Sequence, residues 1–145
     1  SRITNNTRRT ATIQEMNALR EAIVGNPDVR VGGEVVGTGF KQDMGRLPRH
    51  LIELVTRNPF DGMYAQVMYL GKETLPGWDP YIQKGWNGPY IREDGQMGYL
   101  DDAWGTPYQY WVENNETLGL KSAGPDGLFY GQPGAVKDDD IKMRF

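Results

Sequence analysis

The chain has 145 residues and a formal net charge of −3, enough for one domain with a modest core but without the basic face that binding a nucleic-acid backbone requires. Cysteine is absent, which excludes disulfides, thiolate metal sites and cysteine nucleophiles. Hydrophobic residues make up 38%, against 19 glycines and nine prolines, so a loop-rich fold is expected rather than a helical bundle or a long β-sandwich.

Residues 7 to 24 are predicted to be an amphipathic helix. Ile13, Met16, Leu19 and Ile23 recur at three- and four-residue steps, while Arg8, Arg9, Gln14, Glu15, Arg20 and Glu21 fill the other faces. Gly25-Asn26-Pro27 should end it, because glycine suits a C-cap and proline cannot extend the turn. Residues 29 to 36 alternate around Gly32-Gly33 as a short hairpin would. Leu47-Pro48 then opens a second apolar pattern, Leu51, Ile52, Leu54 and Val55, predicted to be a short helix that Asn58-Pro59 closes.

Between residues 60 and 100 glycines and prolines interleave with Tyr64, Tyr69, Trp78, Tyr81, Trp86 and Tyr90. An ordered, aromatic-pinned loop region is expected, with a helical turn or two near residues 63 to 70. Residues 108 to 113 and 117 to 122 are β-prone and flank Asn114-Asn115, which tolerates the positive φ of a tight turn, so an antiparallel pair is predicted. The tail from residue 123 to 145 carries the run Asp138-Asp139-Asp140. No stretch approaches the roughly 20 apolar residues that cross a bilayer. No signal peptide is legible and residue 1 is Ser, so a processed or trimmed form is expected.

Enzymatic chemistry finds little support. His50 is the sole histidine and Ser1 and Ser122 the sole serines. Nothing around Ser122 resembles a nucleophile elbow, and His50 reads as a solvent-facing helical residue. Gly37-Thr38-Gly39 is no phosphate loop, and one histidine without cysteine cannot furnish a zinc site. Two of the 19 acids could serve a glycosidase, with Trp78, Tyr81, Trp86 and Tyr90 as sugar platforms; such aromatics otherwise form the core of a small loop-rich domain. Asp126, in a Gly-Pro-Asp-Gly turn, and Asp138, Asp139 and Asp140 suit a hard cation seeking six to eight oxygens. The acid spacing is not that of an EF-hand, and the plain alternative is a solvated charge run near a terminus.

Three blocks follow one another. Asp43-Met44-Gly45-Arg46-Leu47-Pro48 precedes Gly85-Trp86-Asn87-Gly88-Pro89-Tyr90-Ile91, and Asp102-Ala103-Trp104-Gly105-Thr106-Pro107-Tyr108-Gln109-Tyr110 runs on to Ser122-Ala123-Gly124-Pro125-Asp126-Gly127. In this order they resemble type IV pilin-like proteins, most closely the major pseudopilins of type II secretion, over nearly the whole chain. The family's N-terminal apolar half-helix is missing here, and the segment from 26 to 41 is longer than the usual link.

The resemblance implies an α+β, pilin-like fold of one domain over residues 1–145: an N-terminal spine helix, a short second helix, a small antiparallel sheet of about three strands laid against the spine, and a loop-rich C-terminal region. It further implies a structural, non-enzymatic subunit that stacks with copies of itself and other pseudopilins into a periplasmic filament serving protein export. The missing helix would anchor it in the bacterial inner membrane, at the assembly platform, with the globular part in the periplasm. A minor or specialised pilin for adhesion or uptake is the alternative within the fold; a carbohydrate-binding or hydrolytic domain is the alternative outside it. The resemblance also implies structural calcium in the region from about 120 to 141, held by Asp126, by Asp139 and Asp140 before Ile141, and by the carbonyls of Leu120 and Ser122.

Overall fold

The apolar repeat of Met16, Leu19 and Ile23 sits on one long helix, α1 (Arg2–Val24), in the computed structural model of the chain. It begins five residues earlier than the periodicity suggested. Residues 4 to 11 are exposed, so no apolar repeat marked them; the Trp104 indole N–H, 3.3 Å from Asn5 Oδ1, ties this first part down. The helix stops as expected at Gly25, whose φ of 81° is open to glycine and whose N–H donates to the Glu21 carbonyl at 2.8 Å.

The structure describes residues 2–59, 74–92, 98–135 and 138–145. They are α+β, with one long N-terminal helix, a short second helix and a small antiparallel three-stranded sheet. The helical turn expected near residues 63–70 lies outside the described residues. Two compact units are formed, residues 1–20 with 95–145 and residues 21–94.

In the first unit the described elements are α1 up to Arg20, a 3-10 turn at Gly98–Leu100 and the strands β3 (Gln109–Glu113), β4 (Glu116–Ser122) and β5 (Ile141–Arg144), ordered β3-β4-β5. The hairpin at Asn114-Asn115 forms as read, with φ of 52° and 63° at the two asparagines. The sheet has the three strands expected, although the sequence alone did not locate the third, β5. That strand pairs Ile141 with Ser122 and Met143 with Leu120, which puts Tyr110, Leu120, Ser122, Ile141 and Met143 on one face. Leu120, Ser122 and Ile141 are buried there, as are Met16, Leu19, Tyr99, Tyr108 and Phe129 elsewhere in the unit. On the opposite face Lys142 and Arg144 lie 5.5 and 5.3 Å from the Trp111 ring.

The second unit holds the last turn of α1, the hairpin β1 (Asn26–Val31) and β2 (Glu34–Gly37), helix α2 (Gly39–Met44) and a 3-10 turn at Leu51–Leu54. The hairpin turns at Gly32-Gly33 as predicted. The second helix is displaced: it is α2, ahead of the expected pattern, and the pattern itself yields only the 3-10 turn. Polar capture explains the shortening. The Glu53 carboxylate accepts the Arg49 N–H at 2.9 Å, its carbonyl accepts the Trp86 indole N–H at 2.7 Å, and the Leu54 carbonyl accepts the Tyr90 N–H at 2.7 Å. Those carbonyls are then taken by partners outside a helix ladder. His50 is accordingly not helical; it stands half-buried in extended backbone (φ −138°, ψ 144°) before the turn.

Candidate functional site in the C-terminal loop

Strands β4 and β5 close a loop at the pair Ser122↔Ile141. Chain order alone separates Asp126 from Asp139 by a dozen residues, and the strand pairing returns them to each other. Gly124, at φ 75°, has the Asp139 carbonyl oxygen 2.6 Å from where a Cβ would stand. Any side chain there would displace the Asp139 backbone, so glycine is required by both space and dihedral.

The Asp139 carboxyl is raised above its ordinary value of 3.8, first by burial and then by the neighbouring Asp126 carboxylate. Asp139 Oδ1 is buried with no hydrogen-bond partner among the described residues. Asp126 Oδ1 accepts the Leu128 N–H at 2.9 Å. Asp140 is turned elsewhere: both its oxygens accept the Tyr130 N–H, at 3.2 and 3.1 Å. Asp138 accepts the Asp140 N–H at 3.3 Å and lies 4.0 Å from the Lys142 ammonium. The loop thus brings two of the expected side-chain ligands together and leaves the third beside them on a backbone amide.

Leu120 and Ser122, whose carbonyls were expected to complete the set, lie on β4 opposite Met143 and Ile141. A carbonyl in a ladder keeps a second lone pair. Among the described residues no group of three or more His, Asp or Glu side chains is arranged to hold a metal ion. An oxygen-seeking cation would meet Asp126 and Asp139 Oδ1, which has no hydrogen-bond partner among the described residues, and would take Asp140 only by releasing the Tyr130 amide.

A second group of carboxylates lies in the same unit. Glu15 Oε1 accepts the Tyr108 hydroxyl at 2.6 Å; Glu15, Asp101 and Asp102, with Ala11, Thr12 and Ala103, line a cavity of about 140 Å³. Burial raises Glu15 and Asp101, with neighbouring carboxylate charge adding to both, and raises the Tyr108 phenol. Glu15 is therefore half-buried against Tyr108 and not a free surface charge. Asp102 is 5% exposed: Oδ1 accepts the N–H of Trp104 and Thr106 at 3.0 and 2.9 Å, and Oδ2 accepts the Ser122 hydroxyl at 2.6 Å. Sequence reasoning passed over these roles, although an aspartate opening a Gly-Thr-Pro turn signals side-chain capture of nearby amides.

The aromatic segment of the other unit divides. Trp86 and Tyr90 pack edge-on at 5.6 Å, and Tyr90 packs edge-on against buried Phe40. The Tyr90 hydroxyl donates to buried Asp43 at 2.8 Å. These two pin the loop as expected, whereas Tyr81 is 96% exposed on a turn held by its own N–H donating to Asp79 Oδ1.

No family model, no curated protein and no solved structure matches the chain.

Proposed function

We propose that this chain is the periplasm-facing globular part of a type IV pilin-like protein, closest to the major pseudopilins of type II secretion, a structural filament subunit with no catalytic role. The observation that carries the reading is the closed loop, in which Ser122↔Ile141 pairing brings Asp126 near a buried Asp139 oxygen that has no hydrogen-bond partner among the described residues. A long N-terminal helix and a small antiparallel sheet, in the residue order of the family's blocks, support it.

On this reading Asp126 and Asp139 hold calcium, with Asp140 and the carbonyls of Leu120 and Ser122 completing the set. The cation supplies positive charge that offsets repulsion among the carboxylates and orders the loop. It takes no part in a reaction. Partners are copies of the chain and other pseudopilins, met through an N-terminal apolar helix that also places the subunit in the inner membrane.

Calcium titration tests the proposal. With a Kd of about 10⁻⁴ to 10⁻³ M and ~2 mM calcium, linkage contributes roughly 0.7 to 1.8 kcal/mol, or on the order of 2 to 7 °C in Tm. The shift should vanish in Asp126→Ala and shrink in Asp139→Ala or Asp140→Ala, and magnesium should give much less. An unmoved Tm and no calcium heat would sink the clamp. The filament role is tested on the full-length precursor, which should open with a short basic leader and an apolar stretch bearing an early glutamate.

A further inference from the structure

An aspartate that only shapes its own turn needs one oxygen for the job, and Asp102 Oδ1 does it by accepting Trp104 N–H and Thr106 N–H. Its other oxygen faces away from that turn, taking the Ser122 hydroxyl proton at 2.6 Å. With its proton committed, Ser122 Oγ presents lone pairs, and one accepts the Gly124 N–H at 3.2 Å. Gly124 is the residue against which the Asp139 backbone packs. At the other end the relay is held to α1, since the Ala103 N–H donates at 3.0 Å to Thr12 Oγ1, on a residue 1% exposed.

We infer that Asp102 is the positioning residue of the cation loop. By fixing the Ser122 hydroxyl it fixes Gly124, and through Gly124 the place of Asp139 beside Asp126, so that the site for a hard divalent cation is keyed to helix α1. The inference rests on the calcium reading above. It adds a residue outside the proposed ligand set, acting as the outer hydrogen-bond partners of metal ligands do.

The test uses the full chain with calcium chloride, comparing Ser122→Ala, Asp102→Asn, their double variant and Asp101→Asn by calorimetric titration and by Tm with and without calcium. Ser122→Ala keeps the backbone carbonyl and removes only the relay hydroxyl, so it decides the matter alone should Asp102→Asn fail to fold. Each relay variant should weaken calcium binding by roughly tenfold, and the double variant should be no weaker than the weaker single one, because both cut one chain of contacts. Asp101→Asn should bind as the wild type does, which separates positioning from relief of like charge. A relay that is merely structural would lower Tm equally with and without calcium and leave Kd unchanged; that result overturns the inference alone. A wild-type chain that does not bind calcium overturns the calcium reading and this inference together.

Discussion

Glu53 is fully buried and has three separate tasks. Its carboxylate meets Arg46 Nη1 at 3.0 Å and the Arg49 N–H at 2.9 Å, and its carbonyl takes the Trp86 indole proton. A buried carboxylate is tolerated when each oxygen is satisfied, and removing it leaves the partners to bear the desolvation cost. Arg46 keeps 28% of its side chain exposed, so water recovers part of that cost. Glu53→Ala should therefore destabilise by about 2 to 4 kcal/mol, read from denaturant midpoints at constant m-value. Glu53→Gln keeps an acceptor for the Arg49 amide and should lose less. An alanine variant as stable as the wild type would mean that the 3-10 turn is held by its apolar residues alone.

At the scale of elements, one acidic residue of helix α1 faces two more carboxylates from the segment before β3. Glu15 meets Tyr108, Asp101 and Asp102, none of them a cation, and both Glu15 and Asp101 are raised chiefly by burial. The unfolded chain releases those protons at ordinary values, 4.5 for the glutamate, while the folded chain holds them to higher pH. Between the ordinary and the raised values the folded state binds more protons, so stability falls as pH rises through that window. Acidification from neutral pH toward 4.5 should raise Tm, and Glu15→Gln, which keeps an acceptor for Tyr108, should flatten the slope. Parallel pH profiles for the two chains would contradict this account.

Elements with a repeating pattern or a dedicated turn residue were legible in the sequence. The buried stripe of α1 carried its own period, and Asn114-Asn115 declared the β3-β4 hairpin through a left-handed conformation that asparagine tolerates better than most residues. Helix α2 was not legible, because six residues opening on glycine, with Phe40 the sole large apolar side chain that is buried, fall short of any periodic signal. Strand β5 hid behind the acid run, since Ile141 and Met143 alternate with Lys142 and Arg144 over only four residues. In the candidate site, Asp126 and Asp139 could be named from turn chemistry and resemblance. The relay through Asp102 could not, because it joins residues 20 apart through a hydroxyl that the hairpin alone brings into range.

For the whole molecule, the exposed surface bears on self-association. Among the described residues the large exposed hydrophobics are Tyr81, Ile82, Val112 and Tyr130, the first two in the unit of residues 21–94 and the others in the unit holding the sheet. Stable interfaces bury about 1,200 to 2,000 Å² with a desolvated apolar centre. Val112 stands on β3 and Tyr130 in the C-terminal loop, and the sheet face around Trp111 is covered by Lys142 and Arg144. Two residues on one turn, Tyr81 and Ile82, cannot supply such a centre by themselves. On the proposed reading, assembly is driven by an apolar helix that precedes this chain, and the globular part adds contacts only once subunits are held side by side. These 145 residues should therefore sediment as a monomer over a wide concentration range, and Tyr81→Ser with Ile82→Ser should leave that behaviour and the Tm nearly unchanged, since surface positions usually move stability by no more than about 0.5 kcal/mol. A tight oligomer that persists at high salt and dissociates in the double variant would relocate the assembly contact to the 79–84 turn, and the globular part, not the preceding helix, would then be what drives association.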